Sequence, residues 1–427
     1  MGLFDGKVFL ELGTNVASVD IVQYAKSEGA YVIVTDYLPE EKSEAKKYAD
    51  ETYMISTLDT DLLVELIKAK RVDGVFCGVS EVNLKSVRLL AEKTGLPCYF
   101  TKEQWEICEN KADFKELCNK FHVPTAKQYR LGAVPTREEL DIIQYPVIVK
   151  PVDLCASRGI HICHNEKQLL EGYQDAYAQS PSHNVIVEQY IVGDEISATY
   201  TFLNGECRFS MLSQMYYNME QKGLVPLPDA YIYPSKHLSA FLEKINEPMK
   251  KMLKSIGLKN GTIFVTGIAT DNEFAFFEAG LRMAGTAPYN FVSYINGINI
   301  MELLTEYAIN GKISKPELIE KENPQLNKKI CCLYSLLNSG GKIGNISGVE
   351  KACRIPGVIH HTIQRDIGDE IQKDGTLGQV NVRFYIVKET INEIREVIEK
   401  IQQIVKITDI NQKNMILKSH IIKMLNQ

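Results

Sequence analysis

The opening third of the chain repeats one pattern. A continuous apolar run, Val8–Leu12, broken only by Glu11, predicts a buried strand, and Val16–Ser27 follows with Val19, Val22 and Ala25 on one helical face. Tyr31–Thr35 is a β-branched run ending at Asp36. Asp59–Lys70 carries Leu62, Leu63, Leu66 and Ile67 on one stripe, Gly74–Cys77 is a short buried strand, and Val82–Lys93 is a helix stopped by Gly95 and Pro97. Strand and helix in alternation predict a parallel sheet with helices on its faces, over residues 1–100.

The pattern then changes. Lys102–Lys120 reads as mostly helical, ended by Pro124. Val147–Lys150 is a strand running into the loop Pro151–Gly159. Ile160–Cys163, the helix Glu166–Ala178 and the strand Val185–Glu188 complete a small α+β unit. A larger antiparallel region follows. Asn204-Gly205 joins Ile196–Leu203 to Cys207–Gln214, a strong two-residue hairpin signal. Leu238–Ile256 reads as one helix, Asp271-Asn272 joins Thr262–Thr270 to Phe274–Glu278, and Gly297–Ile309 is the helix expected to close the region. Lys312–Lys328, polar and with two prolines, reads as a linker. The rest holds Lys329–Leu337, a glycine-rich stretch Ser339–Gly348, the strand Val380–Val387 and the helix Thr390–Val405. The expected fold class is therefore α/β and α+β multidomain. Its units are 1–100, 101–310 (a small lid over about 125–190 and a larger part over 191–310), and a linker with a small C-terminal α+β domain over 311–427.

Composition narrows the function classes. The chain has 427 residues, 45% hydrophobic and 24% charged, with ordinary Gly and Pro, which excludes a disordered or fibrous protein. A net charge of −6 argues against nucleic acid as the main partner. No apolar run reaches the length of a membrane span, and Asp5, Lys7 and Glu11 break the N-terminal apolar segment, so neither a membrane nor a signal peptide is expected and the cytoplasm is the expected location. The ten cysteines lack zinc-ligand spacing and read as reduced, mostly buried thiols.

Three segments carry candidate chemistry. In Tyr145–Gly159, YPVIVKPVDLCASRG, a buried strand ends in Lys150, whose ammonium can face phosphate oxygens. A loop with Ala156, Ser157, Arg158 and Gly159 can bring backbone N–H groups to the same phosphates. It is not a Walker A loop, and an ordinary surface loop is the alternative. In VIVEQYIVGDEIS, Val185–Ser197, an apolar strand runs into Glu188 and a turn at Gly193-Asp194 leads to Glu195; such a strand exit can pair with a base edge, and the carboxylate beyond it can take ribose hydroxyls. In FFEAGLRMAG, Phe276–Gly285, Glu278 ends a strand as a magnesium-ligand candidate and Arg282 can stabilise a transferring phosphoryl group, a structural Glu–Arg pair being the alternative.

Taken in order with the Rossmann-like N-terminal segment and Asn110-Lys111, these motifs resemble the ATP-grasp superfamily, in the branch holding carbamoyl phosphate synthetase domains, glycinamide ribonucleotide synthetase and L-amino acid ligases. The resemblance covers about residues 1–310. It implies the ATP-grasp fold with a Rossmann-like pre-ATP-grasp domain, ATP and Mg²⁺ as cofactors, and an ATP-dependent carboxylate–amine ligase working through an acyl phosphate. Its partners would be a small-molecule carboxylate and amine, with a homodimer among the open oligomeric states. By the same resemblance, Lys111 and Lys150 touch ATP phosphates; Ser157, Arg158 and Gly159 belong to the loop over them; Glu188, Gln189, Tyr190 and Ile191 form the adenine hinge; and Glu195 holds the ribose. Glu278 ligates magnesium, Arg282 and Lys150 serve catalysis, and Gly13-Thr14-Asn15 and Ser80-Glu81 face the acceptor.

Two positions depart from the family pattern: Gly280 stands where an asparagine metal ligand is usual, and Thr266 near where a Glu, Gln or Asp metal ligand is usual. They raise an alternative of another class, an ATP-binding protein that has lost catalysis. A nicotinamide-binding reading of the first domain, suggested by Asp36, is disfavoured because Leu12-Gly13-Thr14-Asn15-Val16-Ala17 lacks the close-approach glycines. The pair His360-His361 reads as structural.

Overall fold

The computed structural model describes residues 2–153, 159–221, 223–271 and 273–425. The N-terminal parallel sheet has the strand order Glu51–Tyr53, Tyr31–Thr35, Val8–Leu12, Gly74–Phe76. The polar interruption of its central strand is fully buried: Glu11 Oε1 accepts the Ser18 hydroxyl at 2.8 Å. Burial raises this carboxyl well above its ordinary pKa. The strand Glu51–Tyr53 was not expected; at three residues it is too short to show a period.

The mostly helical stretch 102–120 forms two helices, Lys102–Glu109 and Lys111–Lys120. Asn110 causes the break, because its side-chain oxygen caps the second helix by accepting from the N–H groups of Ala112 and Asp113. The expected helix 238–256 also divides, into Leu238–Lys244 and Asn246–Ser255. Pro248, with no N–H to give and a ring that clashes with a carbonyl one turn back, prevents continuity across Lys244.

A small antiparallel sheet follows the order Gln128–Tyr129, Val185–Gln189, Val147–Pro151, His161–Cys163, with the helix Glu166–Gln179 packed on it. Beyond it lies an eight-stranded sheet. Its order is Phe274–Gly280, Gly261–Ala269, Asp194–Leu203, Glu206–Asn218, Leu227–Tyr233, Ile330–Leu337, Val380–Lys388, Val358–Ile363. At the Asn204-Gly205 hairpin both residues have positive φ, 50° and 85°, as such a turn requires. The strand Leu227–Tyr233 is a central strand hidden in the sequence by its prolines; Pro228 falls where the register shifts between Tyr216 and Tyr217, a position that tolerates a missing N–H.

The last three strands of this sheet lie beyond residue 311, so the sheet runs through the boundary drawn from the sequence. A second core forms between them and the helix Ile391–Ile404, flanked by the small sheet Glu370–Ile371, Gly341–Ser347, Lys406–Asp409. The stretch 312–328 is packed and is not an extended linker: Ile319 and Leu326 are buried in the main core and Glu322 accepts the Ser210 hydroxyl at 2.8 Å. The helix Ile300–Asn310 lies against the N-terminal sheet, so close that a Cβ on Gly74 would stand 2.3 Å from the Ala308 carbonyl oxygen. A single hydrophobic core thus runs from the first sheet into the eight-stranded one. Among the described residues no helix is long and apolar enough to cross a membrane, and the nine described cysteines are free.

Candidate active site

A cleft of about 2250 Å³ separates the small sheet from the large one. The strand Val147–Pro151 delivers Lys150 to its roof. Lys150 Nζ is 2.6 Å from one oxygen of Glu188, on the neighbouring strand, and Lys115 Nζ, from the helix that Asn110 starts, is 2.6 Å from the other. All three side chains are nearly buried. Burial works to raise the Glu188 pKa, but the two ammonium groups outweigh it and hold the carboxyl below its ordinary value. The Glu188 side chain is therefore committed to lysines and does not project from the strand exit. Two N–H groups of the following segment are also occupied: Gln189 N donates to the Lys127 carbonyl at 2.8 Å and Tyr190 N to the Pro146 carbonyl at 3.0 Å. Gln189, Tyr190 and Ile191 all line the cleft.

The floor is built by the edge hairpin of the large sheet. Glu278 lies opposite Thr266 in register. Burial pushes the Glu278 pKa up, Lys111 and Lys150 pull it down, Glu81 pushes it up and Arg282 pulls it down, with a net rise. Lys111, Lys150, Glu81 and Arg282 line the same cleft as Glu278. Lys111 opens the helix Lys111–Lys120, where the cap on Asn110 fixes its start. Arg282 donates from Nε and Nη2 to one oxygen of Glu81, at 3.3 and 3.1 Å, and its guanidinium lies 4.9 Å from the centre of the Phe264 ring. Glu81 belongs to the N-terminal unit, so this pair joins it to the hairpin.

Phe264 also accounts for the departure at position 280. A Cβ on Gly280 would stand 2.3 Å from Phe264 Cζ, so the ring that supports Arg282 occupies the space a larger residue would need. Glu195, second in the strand Asp194–Leu203, accepts the hydroxyl of Tyr217. Burial raises its pKa, the Tyr217 bond lowers it and Glu278 raises it, so the carboxylates 195 and 278 sense each other across the floor.

Of the residues expected from the sequence, Lys111, Lys150, Glu188, Gln189, Tyr190, Ile191, Glu195, Glu278 and Arg282 all line this one cleft. Gly159 has φ +70° and lies under Pro151, where a Cβ would meet Pro151 Cγ at 2.8 Å. Ser157 and Arg158, with Ala156, lie outside the described residues. Of the N-terminal loops, Asn15 is spent on structure, donating to the Cys77 carbonyl at 2.8 Å, and the Thr14 and Ser43 hydroxyls bond each other. Ser80 caps the helix Glu81–Thr94. Sequence reasoning missed Lys115, Tyr217 and Phe264, none of which carries a local signal. It also missed Arg383, which lines the same cleft and whose signal was available: a lone charge inside the apolar run Val380–Val387.

Residues 143–288 match the family model described as an ATP-grasp domain. Over 321 residues the chain is 24% identical to the carbamoyl phosphate synthase large chain of Clostridium beijerinckii (strain ATCC 51743 / NCIMB 8052), covering 72% of this chain; it spans 29% of that relative's length. Among solved structures it resembles phosphoribosylglycinamide synthetase from Anaerococcus prevotii, with a TM-score of 0.74 at 22% identity, covering 94% of this chain and 99% of the other. It also resembles the biotin carboxylase domain of the Hydrogenobacter thermophilus 2-oxoglutarate carboxylase, in complex with MgADP and bicarbonate, with a TM-score of 0.75 at 18% identity, covering 99% and 94%. The motif order, the cleft between two sheets and these likenesses agree: residues 143–288 form an ATP-grasp domain, and the chain shares the fold of these solved structures across nearly its whole length.

Proposed function

We propose that the chain is an ATP-dependent carboxylate–amine ligase acting through an acyl phosphate. The observation that carries this reading is that Lys111, Lys150, Arg282 and Glu278 all line one cleft. Three cations and a carboxylate in one cleft suit the binding of polyphosphate and the neutralisation of charge on a phosphoryl group in transit. Lys150, held in place by Glu188, and Lys111 are the phosphate contacts; the backbone of Gln189–Ile191 takes the adenine; and Glu195, anchored by Tyr217, is placed for the ribose. Arg282, oriented by Glu81 and Phe264, stabilises the transferring group.

The residues present fit one magnesium ion. Glu278 would supply a carboxylate oxygen to it, and Thr266, opposite in register, would offer a hydroxyl. When bound, Mg²⁺ would neutralise charge on the phosphates. A second protein-held ion does not fit, because Gly280 offers no ligand and Phe264 excludes one; among the described residues no group of three or more metal-ligating side chains occurs.

In the reaction, a substrate carboxylate oxygen attacks the γ-phosphorus and the bond to ADP breaks. The amine then attacks the acyl carbon, the bond to the phosphate oxygen breaks, phosphate leaves and the nitrogen loses a proton. The test is phosphate release from Mg·ATP with pooled carboxylates, all amino acids included, and hydroxylamine as trap. A carboxylate-dependent signal with a matching hydroxamate is expected. Gly280 and Thr266 favour one rival, a nucleotide-binding protein without turnover; nucleotide binding with no hydroxamate from any pool would decide for it.

A further inference from the structure

Arg383 is a buried cation on the strand Val380–Lys388. Only 4% of it is exposed, yet it lines the cleft, and among the described residues it has no ion-pair partner. Among the described residues its one hydrogen bond runs from Nη1 to the Gly285 carbonyl, 2.7 Å away, and its Nε has no partner. The same strand face is short of partners on either side. Thr362 Oγ1, opposite Arg383 in register, and both amide atoms of Asn381, two residues along, are buried without a hydrogen bond among the described residues. A folded chain rarely leaves such a group of polar atoms unsatisfied, and an unpaired buried guanidinium is the costliest of them. Neighbouring Tyr231 feels both Arg383 and Glu195, so this face belongs to the same cleft as the nucleotide residues. The Gly285 carbonyl that Arg383 holds is three residues beyond Arg282.

We propose that Arg383 is the anion-reading group of the second substrate's site: the acceptor amine carries a separate carboxylate or phosphate, which the guanidinium binds through its free donors. The planar fork suits both anions. This deepens the ligase reading and rests on it. It also gives the C-terminal strands a role in specificity, since Arg383, Thr362 and Asn381 all lie beyond residue 311.

The experiment compares acceptors in matched pairs, in wild type and Arg383→Gln. L-Amino acids are set against their amides, and phosphoethanolamine against ethanolamine, with ADP release as the readout. Wild type is expected to prefer the anionic member of one pair, the pair showing whether carboxylate or phosphate is read. Arg383→Gln is expected to reduce that preference by about 30-fold, the effect of losing hydrogen bonds to a charged partner; Arg383→Lys, which keeps the charge without the fork, is expected to fall between. Equal use of neutral and anionic acceptors by wild type would overturn the proposal. So would a variant that slows both members of each pair alike, which is the signature of a purely structural arginine. If wild type forms no hydroxamate with any carboxylate, the ligase reading fails separately. Calorimetric titration of the same pairs into MgADP-loaded protein then decides the site: selective binding of the anionic member, lost in Arg383→Gln, supports it, and equal binding or no binding refutes it.

Discussion

Lys150 and Lys115 each hold a different oxygen of Glu188, both at 2.6 Å. The carboxylate therefore keeps a counter-charge if either lysine is removed. Lys150→Ala is accordingly expected to fold, with Lys115 still neutralising Glu188, and to bind nucleotide at least tenfold more weakly, about 1.4 kcal/mol. Equilibrium titration with ATP checks this; unchanged affinity would remove Lys150 from the phosphate site.

Glu188→Gln is expected to be the more damaging change to stability. It leaves two ammonium groups facing each other in a nearly buried position, a loss of about 3 kcal/mol, the lower end for a broken buried pair because both lysines retain some solvent contact. The sign of the pH dependence follows from the direction of the shift. The folded-state pKa of Glu188 lies below its ordinary value of 4.5, so its contribution is present above that pH and is lost as pH falls through the folded value. Denaturant unfolding of wild type and variant should converge on acidification below 4.5.

Glu278 behaves in the opposite sense. Its folded pKa is raised, so ionisation opposes folding as pH rises above 4.5. Without metal or nucleotide, Glu278→Gln is expected to melt higher than wild type at pH 7, and the difference should vanish below pH 4.5. The same variant is expected to lose turnover far more than nucleotide affinity. Equal loss of both would make Glu278 a structural residue.

Gly280→Asn tests the account of the altered metal site. The new Cβ drives into Phe264, so a destabilisation of about 1–3 kcal/mol is expected, together with disturbance of Arg282 on the other side of the ring. Phe264→Leu in the same chain should recover part of the stability. A stable single variant with tighter magnesium dependence would show that Gly280 is not imposed by packing.

Much of this architecture was legible along the chain because burial leaves a period. The N-terminal alternation, the two hairpins and the strand ends carrying Lys150, Glu188 and Glu278 all follow from apolar runs that stop at a charge. What escaped has local causes. Asn110 and Pro248 each divide one apolar stripe into two helices without breaking its period, and Pro228 disguised a central strand by occupying a bulge. The partnerships were not legible. Nothing in the sequence says that Lys115 shares Glu188, that Tyr217 holds Glu195, or that Phe264 both supports Arg282 and empties position 280, because each contact joins elements brought together only by folding.

The most direct test of the acyl phosphate route follows the oxygen. With the carboxylate found by the hydroxylamine trap labelled in both oxygens with ¹⁸O, the inorganic phosphate released during amide formation is expected to carry one ¹⁸O per turnover, because the attacking carboxylate oxygen leaves with the phosphoryl group. Phosphate released without label, while amide accumulates, would contradict the account.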